Sequence, residues 1–369
     1  MRLAFAGGGT GGHIAPAKRV LEAFLERDEH VEDLVWFTSG RAVEDLALQG
    51  VDELLSDGAW ERVVGRMEPS GGGAPGVPRI LARLIPELLS ARRALRRHRS
   101  QALLGLGGFS ALAPLLAARS LGLPCAWLEV NTLSGRATRL LAPRCERVWH
   151  AWSSTASSAP GHEVGGPPLE ASLFEPLAEE LRAAKRAELG VSASAPLLVI
   201  LGGSQGALGL NAFVATNAKA WTEAGLCVLH QCGPGRRGEG AGDLPGYQAV
   251  DFIDDVSDVL AAADIALARA GASTVAEIGA ARVPAVFVPH PASPDRHQHK
   301  NAGLLGAGAR VVDQSELTSE FASELLKLAG AEGVEERSEM RRALEGAVPS
   351  GGAARVAAGL FELCSSKKS

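Results

Sequence analysis

Leu3-Ala4-Phe5-Ala6-Gly7-Gly8-Gly9-Thr10-Gly11-Gly12-His13 decides the reading of this chain. Four apolar residues make a short run of the kind that becomes a buried parallel strand. Glycines follow at once, and a helical pattern then runs from about His13 to Arg27. Strand, glycine turn and helix together form the opening unit of a doubly wound α/β sheet. Further along, Leu34 to Phe37, Gln101 to Leu106, Cys125 to Leu128 and Arg147 to His150 read as more strands, with helical patterns between them. Alternation of this kind implies a parallel sheet with right-handed crossovers.

The same grammar restarts at Leu197-Leu198-Val199-Ile200-Leu201, followed by Gly202-Gly203-Ser204-Gln205-Gly206-Ala207 and a helix. Leu226 to Leu229, Ala249 to Ile253, Ile265 to Leu267, Ala285 to Val288 and Arg310 to Val312 continue the strands. The stretch from Ser153 to Pro168 is rich in Ser, Ala, Gly and Pro and reads as a linker. The expectation is therefore two doubly wound, Rossmann-like α/β domains facing a cleft. One covers residues 1–160 with a returning C-terminal helix over about 345–369, and the other covers 161–344. A length of 369 residues suits two such domains.

Composition excludes several classes. A formal net charge of -5 argues against a bulk nucleic-acid binder. No apolar run approaches the roughly 20 residues of a membrane span, and no leader is expected ahead of the first strand. The five cysteines (Cys125, Cys145, Cys227, Cys232, Cys364) lack Cys-x-x-Cys spacing, which fits a reducing cytosol and offers no zinc site.

Each glycine loop lets a ligand approach backbone N–H groups at a helix start, where partial positive charge favours anions. Gly7, Gly9 and Gly12 formally spell a dinucleotide pattern, but Thr38-Ser39-Gly40-Arg41 stands where the confirming acid belongs. An NADP-dependent oxidoreductase thus stays open, as does a plain packing turn. His13 opens the helix and is either a general base or a capping histidine. In Arg269-Ala270-Gly271-Ala272-Ser273-Thr274-Val275-Ala276-Glu277, small residues suit a diphosphate. Glu277 there suits a ribose diol or is an ordinary first-turn acid. His297 and His299 are two apart, on different helix faces, so no metal is expected. Asp295 and Gln298 suit a sugar's hydroxyls, with an N-cap at Asp295 the other reading. Finally, Arg79-Ile80-Leu81-Ala82-Arg83-Leu84-Ile85, with Arg92, Arg93, Arg96, Arg97 and Arg99 beyond, is answered by a single acid, Glu87. It reads as a surface for anionic headgroups or as a solvated arginine face. The Ser70 to Gly76 loop precedes it.

These motifs, in this order, resemble the MurG family of N-acetylglucosamine transferases. The marks are Gly8 to Ala17, Gly105 to Ser110 with Pro114, Gly202 to Ala207, Phe252 to Asp255, Arg269 to Glu277, and Asp295, His297-Gln298 and Asn301-Ala302. The resemblance spans nearly the whole chain and implies the GT-B fold. It also implies inverting transfer of GlcNAc from UDP-GlcNAc to the MurNAc C4 hydroxyl of lipid I, giving lipid II, with no cofactor or metal. The implied catalytic residues are His13 and Glu129. Thr10, Gly11, Gly12 and Asn131 would contact sugar or acceptor, Ser204 the diphosphate, and Ile253 the uracil through its backbone. Ala272, Ser273, Thr274, Val275, Ala276 and Glu277 would hold phosphates and ribose, and Gln298 the GlcNAc hydroxyls. Arg79, Ile80, Leu84 and Ile85 would touch the anionic inner-membrane surface, placing the protein peripherally on its cytoplasmic face. A transferase with another lipid acceptor and a non-catalytic nucleotide-sugar binder are the remaining alternatives. The chain departs from the family pattern at Leu128-Glu129-Val130-Asn131, at Ser134-Gly135-Arg136-Ala137-Thr138-Arg139, and at Gly165-Gly166-Pro167-Pro168-Leu169, where an arginine is usual.

Overall fold

The computed structural model describes residues 1–9, 11–27, 30–55, 58–65, 77–175, 179–239, 242–293 and 296–365. Thr10, Asp295 and the 70–76 loop lie outside them. The chain divides into two compact units, Met1–Leu169 with Gly351–Ser369, and Glu170–Ser350.

The first unit holds strands β1 (Arg2–Gly7), β2 (Asp33–Thr38), β3 (Ala59–Val64), β4 (Ala102–Gly107), β5 (Cys125–Glu129), β6 (Arg147–His150) and β7 (His162–Val164). They form one sheet in the order β3-β2-β1-β4-β5-β6-β7. Every pairing is parallel. A parallel sheet is covered on both faces, so its central strands are apolar throughout. All six residues of β4 and all five of β5 are buried accordingly. The helix Gly352–Ser365 belongs to this unit, and Arg355 Nη1 donates to the Gly165 carbonyl at 2.6 Å.

Two edge strands correct the sequence reading. β3, Ala-Trp-Glu-Arg-Val-Val, is half exposed along its length. An edge strand lacks the continuous apolar run that announces a buried one, so it left no signal. β7 falls inside the Ser-Gly-Pro-rich stretch expected to be a linker; it pairs with β6 and carries the first unit on to Leu169.

The second unit holds β8 (Leu197–Leu201), β9 (Cys227–Gln231), β10 (Tyr247–Val250), β11 (Ile265–Ala268), β12 (Ala285–Phe287) and β13 (Ala309–Val311). Their order is β10-β9-β8-β11-β12-β13, again all parallel. The strand expected over Ala249–Ile253 ends at Val250. Beyond it the chain turns into the helix Val256–Ala262, whose N-cap Asp255 accepts from the Ser257 N–H at 2.9 Å. That cap needs the preceding residues out of the sheet.

Candidate active site

Each sheet reverses its strand order once, between β1 and β4 in the first unit and between β8 and β11 in the second. Ligands of such sheets bind where the loops leave the carboxyl ends of those strands. The glycine loop after β1 and Gly107-Gly108 after β4 frame the first crevice. Gly202 to Gly206 after β8 and Arg269 to Gly271 after β11 frame the second.

A buried carboxylate organises the first loop. Glu44 has no exposed side-chain surface. Its Oε1 accepts from the Gly9 N–H at 2.5 Å, the Ser39 N–H at 3.1 Å and the Ser39 hydroxyl at 2.6 Å. Its Oε2 accepts from the Gly40 and Arg41 N–H groups at 2.7 and 3.1 Å and from Arg62 at 2.8 Å. Arg41 Nη1 in turn donates to the Gly9 carbonyl at 3.0 Å. Residue 8 must be glycine for this approach, because a Cβ there would lie 2.3 Å from Glu44 Oε1. Burial alone would raise the Glu44 pKa, but the bonds from Ser39, Gly9 and Arg62 outweigh it and hold it at about 2.

That depression has a pH signature. The folded value lies below the ordinary 4.5, so the stabilisation is complete above pH 4.5 and is lost as pH falls towards 2. The shift corresponds to roughly 3 kcal/mol. Thermal midpoints of the wild type and Glu44→Gln are expected to differ most above pH 5 and to converge towards pH 2. A constant gap across that range would refute the assignment.

The same carboxylate argues against the dinucleotide reading. A diphosphate cradled by this loop would need the Gly9 N–H, which already serves Glu44, and would sit against its negative charge.

His13 stands at the other side of this loop, in the helix Gly11–Leu25. Its Nδ1 is 3.1 Å from the Gly8 carbonyl oxygen. A carbonyl only accepts, so Nδ1 carries the proton and Nε2 carries the lone pair. The ring lies against Gly107, where a Cβ would be 2.8 Å from Nε2. Gly107 also has φ of 114°, a conformation that disfavours any side chain.

Glu129, at the end of β5, is 3% exposed. Its Oε1 accepts from the backbone N–H and the side-chain amide of Asn131 at 2.9 and 3.1 Å. Its Oε2 accepts from the Gly135 N–H at 3.3 Å and from the Thr138 hydroxyl. Both oxygens hold the loop that follows β5. Asn131 is oriented by it.

In the second unit, Gly206 closes a turn on the Gly203 carbonyl at 2.8 Å, with Ser204 half-buried between them. Three residues that motif reading did not single out for a role support this loop. Asn211 Nδ2 donates to the Cys232 carbonyl at 2.9 Å, and Asn211 Oδ1 accepts from His230 Nε2 at 3.1 Å. His230 Nδ1 then accepts from the Tyr247 hydroxyl at 2.8 Å. Burial pushes the His230 pKa down to about 4, so the ring stays neutral. A polar side chain within an apolar strand, such as His230, was the one available signal.

The helix Ala272–Ala280 begins at Gly271. Val275 and Ala276 are buried in the core, and the Val275 N–H donates to the Gly271 carbonyl at 2.9 Å. Ser273 Oγ is buried with no hydrogen-bond partner among the described residues. Glu277 is half-buried one turn into the helix. Arg269 crosses behind the loop, donating to the Val288 and Pro289 carbonyls at 3.0 and 3.2 Å and to Gln314 at 2.5 Å. Asn301 Nδ2 donates to the Ala270 carbonyl at 3.1 Å, and Gln298 Oε1 accepts from the His290 N–H at 2.8 Å. The loops after β11 and β12 are thereby locked together. Ile253 is buried, and its backbone has no hydrogen-bond partner among the described residues.

The helix Val77–Arg97 carries the arginine-rich stretch. The side chains of Arg79 and Ile80 lie outside the described ones. Leu84 is half-buried, whereas Ile85 is 66% and Leu89 45% exposed. Ile85, Leu89 and exposed Arg93 follow one stripe at a spacing of four. Among the described residues no helix is long and apolar enough to cross a membrane.

Residues 3–150 match the glycosyltransferase family 28 N-terminal domain and residues 197–348 the family's C-terminal domain. A Sorangium cellulosum protein named UDP-N-acetylglucosamine--N-acetylmuramyl-(pentapeptide) pyrophosphoryl-undecaprenol N-acetylglucosamine transferase is 37% identical, over 97% of this chain and 87% of its own. One of the same name from Synechococcus elongatus is 34% identical over 86% of this chain and 85% of its own. The chain belongs to the MurG family. The crystal structure of Acinetobacter baumannii MurG superposes with a TM-score of 0.71 at 25% identity, covering 98% of this chain and all of that one. The fold is therefore GT-B, as in other MurG glycosyltransferases. A UDP-GlcNAc 2-epimerase from Neisseria meningitidis shares that fold alone, with a TM-score of 0.65 at 14% identity over 98% of this chain and 99% of that one.

Proposed function

We propose that this MurG-family protein transfers GlcNAc from UDP-GlcNAc to the C4 hydroxyl of MurNAc in lipid I, forming lipid II with inversion. The observation that carries the reading is the division of chemistry between the two switch points. The first holds a histidine with its lone pair on Nε2 beside a loop whose Gly9 N–H is taken by a buried carboxylate. The second holds glycine turns and a helix start, which attract them.

The second unit binds the donor. Ser204 in the Gly203 to Gly206 turn and the first-turn N–H groups of Ala272, Ser273 and Thr274, which have no acceptor within the helix, take the diphosphate. Glu277 accepts from the ribose hydroxyls, the Ile253 backbone pairs with uracil, and Gln298 meets the GlcNAc hydroxyls. The first unit binds the acceptor through Gly11, Gly12 and Asn131, with Thr10 beside them. His13 Nε2 takes the acceptor proton as the oxygen attacks the anomeric carbon. The leaving UDP keeps the bonding electron pair, and oriented N–H groups and the helix dipole stabilise its charge. The Ile85, Leu89 and arginine stripe supports peripheral docking on anionic lipid at the cytoplasmic face of the inner membrane, where the acceptor resides.

Incubation with UDP-GlcNAc and a short-chain lipid I analogue on anionic vesicles is expected to release UDP and yield the disaccharide lipid, with the protein sedimenting on the vesicles. No UDP under any membrane-mimetic condition would sink the reading. UDP release only with a different lipid would reassign the acceptor.

A further inference from the structure

Two hydrogen bonds in the first crevice meet on one peptide group. The Gly8 carbonyl accepts from His13 Nδ1 at 3.1 Å. The N–H of that same peptide, carried by Gly9, donates to Glu44 Oε1 at 2.5 Å. The peptide is trans, so its C=O and N–H point to opposite sides. A buried carboxylate therefore sits on one side of the Gly8–Gly9 peptide and the imidazole on the other. Hydrogen bonds in such a chain polarise one another, and a strong acceptor at the N–H makes the carbonyl a better acceptor in turn. Carboxylates that orient a histidine directly, as in hydrolase triads, fix its tautomer and favour its protonated form.

We propose that Glu44 is a positioning residue that acts on His13 through the Gly8–Gly9 peptide, a carboxylate–peptide–imidazole relay. The relay locks Nδ1 as the protonated nitrogen and leaves Nε2 as the base. It also strengthens that base by feeding part of the carboxylate's charge to the Gly8 oxygen. No proton leaves Glu44 or the peptide; the only transfer is from the acceptor hydroxyl to Nε2. The absence of a side chain at Gly8 permits the arrangement, since a Cβ would meet Glu44 Oε1. Arg62 tempers the field by pairing with the other oxygen at 2.8 Å. The inference rests on His13 being the base.

The test is the pH profile of kcat/KM with UDP-GlcNAc and the short-chain lipid I analogue. Glu44→Gln keeps an acceptor for the Gly9 N–H and removes the charge. Its acid limb is expected to move to lower pH by about half a unit, with a plateau kcat roughly three- to tenfold lower. Arg62→Gln uncovers the charge, so its acid limb is expected to move the other way, to higher pH. A residue that only held the loop together would lower the rate without opposed shifts. In a His13→Ala background, Glu44→Gln is expected to cost no further rate, whereas an additive loss would overturn the relay. An unmoved limb in both single variants would overturn it as well. Should Glu44→Gln fail to fold, the direction of the Arg62→Gln shift decides alone. Full activity of His13→Ala would remove the base assignment itself, which separates that failure from a failure of the relay.

Discussion

His13→Ala is expected to lower kcat by roughly 10²- to 10⁴-fold while leaving UDP affinity unchanged. The ring is held by the Gly8 carbonyl and packs on Gly107, both within the first unit. The groups assigned to UDP lie on the segments after β8, β10 and β11, in the second. Removal of the imidazole leaves those loops intact, so binding and turnover separate. The measurement pairs a UDP thermal-shift titration with steady-state kinetics. A variant that keeps wild-type kcat would remove His13 from the mechanism, and one that loses UDP affinity would show that donor binding depends on this loop.

Gly206→Ala is expected to break the donor side instead. A Cβ at position 206 would lie 1.9 Å from the Cys232 carbonyl oxygen, with φ at 70°. The obstacle is backbone, so no side-chain rotation relieves it. The turn must open, which separates Gly206 from Cys232 and disturbs the Asn211 contact with that carbonyl. The left-handed backbone and the overpacking together cost about 3 kcal/mol. For a unit of this size that corresponds to a fall in Tm of roughly 10 °C. UDP affinity is expected to drop at least tenfold, because the turn no longer holds Ser204 in place. Wild-type Tm and affinity together would show that this turn does not cradle the diphosphate.

Legibility followed burial. β1, β4, β5 and β8 are covered on both faces, and their apolar runs read directly as strands. β3 and β7 stand at sheet edges, where half-exposed backbone tolerates Trp60-Glu61-Arg62 and a histidine. Their sequences carry no period that separates them from loop. The glycine loops were legible because a strand and a helix can meet at so tight a turn only through small residues. Motif reading singled out His13, Glu277 and Gln298, which stand in or beside the loops that leave the strands' carboxyl ends. The partners of Glu129 were not legible, because what a carboxylate's oxygens meet depends on the packing of the loop around them.

By itself the sequence determined two doubly wound halves, the glycine loops that punctuate them, and the family to which they belong. Each of these is written in local pattern, within about ten residues of itself. Only the tertiary structure decided what the opening glycine loop meets. Glu44 lies 35 residues from Gly9, at the far side of a helix and a strand. It reaches the loop only because β1 and β2 run side by side. Once there, it takes the Gly9 N–H that a phosphate would need, on the peptide whose carbonyl meets His13. A hydrogen-bond donor in a sequence points nowhere until the chain folds, and its partner is fixed by the packing of elements distant along the chain.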